Sequence, residues 1–103
     1  MITEIRQTDA YRRWFDGLRD PQAKARILVR LRRLSFGNLG DVKPVGGGIS
    51  ELRIDYGPGY RIYLAQRGSA LVLLLTGGDK RRQQDDIARA RTLAAQWEPD
   101  DEP

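Results

Sequence analysis

The chain has 103 residues, enough for one domain and too few for two full cores. It contains neither cysteine nor histidine, which excludes disulfides and thiolate chemistry and makes zinc hydrolases and Ser-His-Asp enzymes poor candidates. Its net charge is +4, yet the last six residues hold four acids, so the body before Glu98 sets 18 bases against 10 of the 14 acids, and a basic body favours a polyanionic partner.

In chain order, a first strand is expected over Ile2 to Arg6. Thr8 or Asp9 then caps a helix in which Tyr11, Trp14, Phe15 and Leu18 form one apolar stripe facing a core. Asp20 and Pro21 suit the N-cap and first turn of a second helix. Ala23, Ile27, Leu31 and Leu34 are its inner stripe, and Gly37 ends it. Arg26, Arg30 and Arg33 share another face of that helix. They form either an ordinary solvated basic face or a surface for nucleic acid or an acidic partner segment.

The rest reads as a meander. In "ISELRIDY", Leu52, Ile54 and Tyr56 point one way and Glu51, Arg53 and Asp55 the other. After the "GPG" turn, Ile62 and Leu64 point inward and Arg61 and Tyr63 to the opposite face. "ALVLLLT" reads as a strand buried on both faces. A last helix, Gln83 to Trp97, has Ile87, Ala90, Ala94 and Trp97 as its inner stripe. The order β-α-α-β-β-β-α predicts an α+β domain over residues 1–97, with two early helices on a mostly antiparallel sheet and a short last helix. Residues 98–103 are expected to be an acidic, flexible tail. No apolar run approaches the roughly 20 residues of a membrane span, and the start lacks a signal peptide's pattern, so a cytoplasmic location is expected.

If the strands pair, Arg53, Arg61 and Tyr63 share one sheet face, and Lys80, Arg81 and Arg82 follow the third strand. Such cations suit phosphodiester chemistry, where they stabilise charge developing on phosphate oxygens. Without histidine, a lysine flanked by arginines is the best base on offer. Tyr56, Tyr60 and Tyr63 are candidates to stack RNA bases or to help with proton transfer. Arg81 and Arg82, at a helix start, are candidates to contact RNA phosphate. The glycines of "VGGGIS" and "TGGDK" match neither phosphate-loop motif, and they read as turns needing positive φ.

"ELRIDYGPGYRIYL" and "LVLLLTGGDKRRQQDDIARA", with "YRRWFDGLRD" and "GNLGDVKPVGGGISELRI", resemble the Gp49/HigB-like addiction-module killer proteins of the RelE/ParE toxin superfamily, over about residues 2–97. The resemblance implies a RelE-like fold and a type II toxin held in check by an antitoxin, usually a helix-turn-helix DNA-binding protein. It implies ribosome-dependent mRNA cleavage by 2′-hydroxyl attack, with no metal or cofactor. Carried over by position, Arg53, Arg61 and Lys80 are the catalytic candidates. Arg81 and Arg82 stand where small hydroxyl residues are the family pattern, and the last helix lacks the Tyr or His that many relatives carry there. ParE-type relatives poison DNA gyrase on the same fold. A third possibility is a non-catalytic module in which Arg26, Arg30 and Arg33 bind the antitoxin.

Overall fold

The computed structural model describes residues 4–68 and 70–97. The elements are β1 (Glu4–Gln7), α1 (Asp9–Gly17), α2 (Pro21–Ser35), β2 (Val42–Gly46), β3 (Ile49–Ile54), β4 (Tyr60–Arg67), β5 (Leu71–Asp79), a 3-10 turn (Lys80–Arg82) and α3 (Gln83–Gln96). They build one five-stranded sheet in the order β1-β5-β4-β3-β2. β1 runs parallel to β5, and the other pairs are antiparallel.

The early helices start as their sequences dictate. The Thr8 side chain accepts the Tyr11 N–H at 3.0 Å, and Asp20 accepts from Gln22 and Ala23 ahead of Pro21. Such caps satisfy otherwise orphaned donors and are each worth about 1 kcal/mol. Gly37, at φ 87°, closes α2 with its N–H on the Leu34 carbonyl. Tyr11, Ile27 and Leu34 pack on Leu52, Ile54, Ile62, Leu64, Val72 and Leu74, with Trp14, Phe15, Leu18 and Leu31 at the edge of this cluster.

The opposite face has its own core. Ile87 and Ala90 of α3 cover Ile49, Tyr63, Ala65, Leu73 and Leu75, with Ala94 and Trp97 packed alongside. β5 is therefore buried on both faces, as its unbroken apolar run predicts. The last helix falls where expected, over Gln83–Gln96. At 14 residues it nearly matches α2 at 15, and it alone forms the second layer.

Two expectations change. Strand β2 was not foreseen, because Pro44 and the glycines hide its alternation; it lies at the sheet edge, where proline is tolerated. Of the expected first strand, Glu4 to Arg6 lie in β1, while Ile2 and the tail 98–103 lie outside the described residues. Gly46, Gly47 and Gly48 do take positive φ, but Gly77 and Gly78 do not. A Cβ at Gly77 would strike the Trp14 ring, and one at Gly78 would strike the Asp86 carboxylate. Both glycines of "TGGDK" thus serve close packing in an extended strand. Among the described residues no helix is long and apolar enough to cross a membrane.

Candidate functional site

Arg53 and Arg61 are cross-strand partners in the β3–β4 register. Strand alternation sends both side chains to the same face of the sheet. Pairing of Tyr60 with Asp79 and of Arg61 with Gly78 brings the end of β5 beside the start of β4. The turn that follows carries Lys80. The three cations and Tyr60 line a cleft of about 280 Å³, together with the carboxylates of Asp41 and Asp55. Lys80 is exposed, and among the described residues no ion pair holds its ammonium group.

The arginines share a carboxylate that composition and motif did not single out. Glu51 is fully buried. Its Oε1 lies 3.0 Å from Arg53 Nε and 3.2 Å from Arg61 Nε, and its Oε2 accepts from Gln83 Nε2 at 2.7 Å. Burial alone would raise the pKa of this carboxyl. Hydrogen bonds from Arg53 and Gln83, with the nearby Arg61 charge, outweigh burial and hold it below the ordinary value. The same contact raises the pKa of the Arg53 guanidinium. Arg61 Nη1 also donates to the Gly59 carbonyl at 3.2 Å. The available signal was an acid two residues before Arg53, on the strand face that a helix must cover.

The candidate RNA contacts separate. Tyr63 is wholly buried under α3, so its ring is closed to a stacking base. Its hydroxyl lies beside Glu51 with no well-oriented hydrogen bond, and burial first, then the Glu51 and Asp86 charges, push its pKa up. Tyr56 packs on the other side of the sheet, on the α1–α2 core, with its hydroxyl 3.2 Å from Gln22 Oε1 and Arg26 over its ring. Tyr60, not Tyr56 or Tyr63, is the aromatic residue at the cleft. Arg81 is exposed but ion-paired to Asp79 at 2.9 Å, and its backbone N–H is capped by the same side chain. That pairing lowers the Asp79 pKa. Arg82 is exposed at the junction of the turn and α3.

A second concavity, about 550 Å³, lies along α2 and is lined by Ala25, Arg26, Val29, Arg30, Arg33 and the end of β3. Helix α2 carries five cations and no acid. Arg30 is not a free cation of that row: its guanidinium donates to the carbonyls of Arg53 at 2.6 Å and Leu39 at 3.3 Å. Burial lowers its pKa, with Asp41 acting against that effect. Leu28, Val29, Phe36 and Leu39 are large apolar side chains left exposed on α2 and just beyond it.

No family model matches the chain. It is 49% identical over 94 residues to an uncharacterized protein of Haemophilus influenzae, across 91% of this chain and 95% of that one. The two chains belong to one family. In three dimensions the chain is similar to one in the toxin–antitoxin complex RelBE2 of Mycobacterium tuberculosis, with a TM-score of 0.62 and 22% identity, covering 78% of this chain and all of the other. The likeness is one of fold, and the fold is RelE-like.

Within that fold, the residues singled out in sequence divide into two regions. Arg53, Arg61 and Lys80 meet at one cleft, with Arg81 and Arg82 on the turn beside it. Arg26, Arg30 and Arg33 meet at the groove along α2, near Tyr56. Tyr63 belongs to neither.

Proposed function

We propose that the chain is the toxin of a type II toxin–antitoxin module, HigB-like, and that it cleaves mRNA on the ribosome at the Arg53–Arg61–Lys80 cleft. The observation carrying this reading is the convergence of three cations, from β3, β4 and the turn after β5, on one cleft of about 280 Å³. The motifs "ELR", "YR" and "GGDK" support it, as does a RelE-like fold.

The ribose 2′-oxygen attacks the adjacent phosphorus, and the bond to the departing 5′-oxygen breaks. The products are a 2′,3′-cyclic phosphate and a 5′-hydroxyl, so one proton leaves the 2′-hydroxyl and one reaches the 5′-oxygen. Arg53 and Arg61 present N–H groups to the phosphate oxygens as charge builds there, a task that needs no metal ion. Lys80, the cleft cation without an ion pair among the described residues, is assigned to proton exchange with the reacting oxygens. Arg81 and Arg82 are assigned to flanking phosphates.

The groove along α2 supports the partner half of the reading. An antitoxin, expected to be a helix-turn-helix protein, would meet Arg26 and Arg33 there. Induction of the chain in bacteria followed by mapping of mRNA 5′ ends tests the proposal. New 5′ ends that vanish in Lys80→Ala are expected. Arrested growth with intact transcripts and inhibited supercoiling by gyrase would replace it with the gyrase reading.

A further inference from the structure

We propose that Glu51 is the positioning residue of the cleft: it aims the free ends of Arg53 and Arg61, and through Gln83 it sets the turn that carries Lys80. The inference rests on the reading of the cleft as a phosphodiester site and adds a residue that the motifs did not assign.

Arg53 and Arg61 face each other directly across two strands. Like charges so placed repel, and alone they would swing apart into water. Glu51 stands one pleat before Arg53 on the same face, with no exposed surface. Arg53 donates its Nε–H to Oε1, and Arg61 Nε lies 3.2 Å from the same oxygen as an ion pair without a well-oriented hydrogen bond. Arg61 spends Nη1 on the Gly59 carbonyl. Arg53 keeps both terminal nitrogens and Arg61 keeps Nη2 without a protein acceptor among the described residues. A buried carboxylate that holds Arg53 by a hydrogen bond and Arg61 by charge thus leaves outer edges to donate to an oxyanion, which is the geometry preorganised charge stabilisation requires.

Gln83 extends the arrangement. It is the first residue of α3, directly after the Lys80–Arg82 turn, and its amide reaches Oε2 at 2.7 Å. One carboxylate therefore ties β3, β4 and the base of the turn together. Tyr63 packs against it from β4 without a well-oriented bond, so the arginines and Gln83 are its working partners.

Charge alone and positioning predict opposite results for Glu51→Gln. Removing a negative charge from a cleft that already holds Asp41 and Asp55 should tighten binding of a polyanion if charge alone matters. Positioning predicts weaker binding, on the order of tenfold to a hundredfold, because misplacement by about 1 Å is that costly. The probe is a short single-stranded RNA, 2′-O-methylated throughout so that it stays uncut, titrated by fluorescence anisotropy. The second readout needs no RNA: the arginine Nε–Hε resonances of the free protein, distinct in wild type, should collapse toward the solvent-exposed position in Glu51→Gln. Weaker RNA binding with collapsed resonances is the expected result.

Equal or tighter binding with both resonances still distinct overturns the proposal. Collapsed resonances in a protein whose wild type binds no RNA would sustain the positioning role and overturn the RNA reading instead. Should Glu51→Gln fail to fold, Gln83→Ala decides, because it keeps the carboxylate and both arginines and frees only the turn. A several-fold loss of RNA affinity supports the proposal, and unchanged affinity overturns it.

Discussion

The cleft and the groove along α2 share a wall, Ile54 at the end of β3 and Asp55 just after it, and both are lined with arginine. They use it differently. At the cleft, the arginines are answered from inside the fold by Glu51, a buried carboxylate with three partners. Along α2, five cations stand without an acid in the helix, beside Val29, Leu28 and Phe36 left exposed. Where the counter-charge is built in, cations are held in place, as chemistry on a phosphate requires. Where the helix supplies no counter-charge and Asp55 stands at the rim, the proposed occupant is an acidic amphipathic segment of a partner. Arg30 is the exception that joins the regions, since it holds the Arg53 carbonyl.

The comparison breaks first at Lys80. Lys80→Ala should lower the mRNA cleavage rate by about 10²–10⁴-fold, the usual worth of a positioned proton-transfer group, while urea denaturation finds stability within about 0.5 kcal/mol of wild type, as for exposed positions generally. Glu51→Ala should instead cost about 3 kcal/mol of stability, the low end for breaking a buried pair because Arg53 is partly in water. Val29→Glu, at a half-exposed position, should leave urea stability almost unchanged. It should weaken antitoxin binding by about 2 kcal/mol in calorimetry, as the loss of a central apolar contact does. If Val29→Glu unfolds the chain instead, the groove is core and not an interface.

Acid sharpens the contrast. The Glu51 carboxyl is depressed below 4.5 in the folded state. Its contribution to stability is present above that value and is lost as pH falls through the lower folded-state pKa. Urea midpoints followed into acid should therefore fall more steeply for wild type than for Glu51→Gln. The smallest effects concern Tyr63 and salt. Tyr63→Phe removes an unsatisfied hydroxyl and should change stability by less than about 1 kcal/mol. It should leave RNA affinity untouched, which a base-stacking Tyr63 would not. Lys80→Ala should reduce the slope of log affinity against log salt by about 0.7, one single-strand phosphate contact.

Much of this architecture can be read from local rules. Thr8, Asp20 with Pro21, and Gly37 mark helix ends by what their side chains or backbones satisfy. The stripes of α1, α2 and α3 follow from periodicity. Pro44 and three successive glycines conceal β2, because an edge strand needs neither alternation nor every N–H. The harder lesson lies at Glu51 and Tyr63. β5 reads as buried on both faces, and α3 has an apolar stripe that must lie on something. Together these require cover over the face carrying Arg61 and Tyr63, so that face is not an open platform. Glu51 stands in the "ELR" motif, but its role is not legible there because it depends on Gln83, which lies 32 residues away. Only pairing across strands and layers brings them together.

The central claim is that the cleft turns a ribose hydroxyl against its own phosphate. It is tested most directly with purified ribosomes programmed with one defined mRNA, with primer extension reading the cut. Wild-type protein should cut at a fixed position, and a single 2′-deoxy substitution at the attacking ribose should abolish that cut while neighbouring substitutions leave it intact. A cut that persists on the 2′-deoxy mRNA would contradict the account.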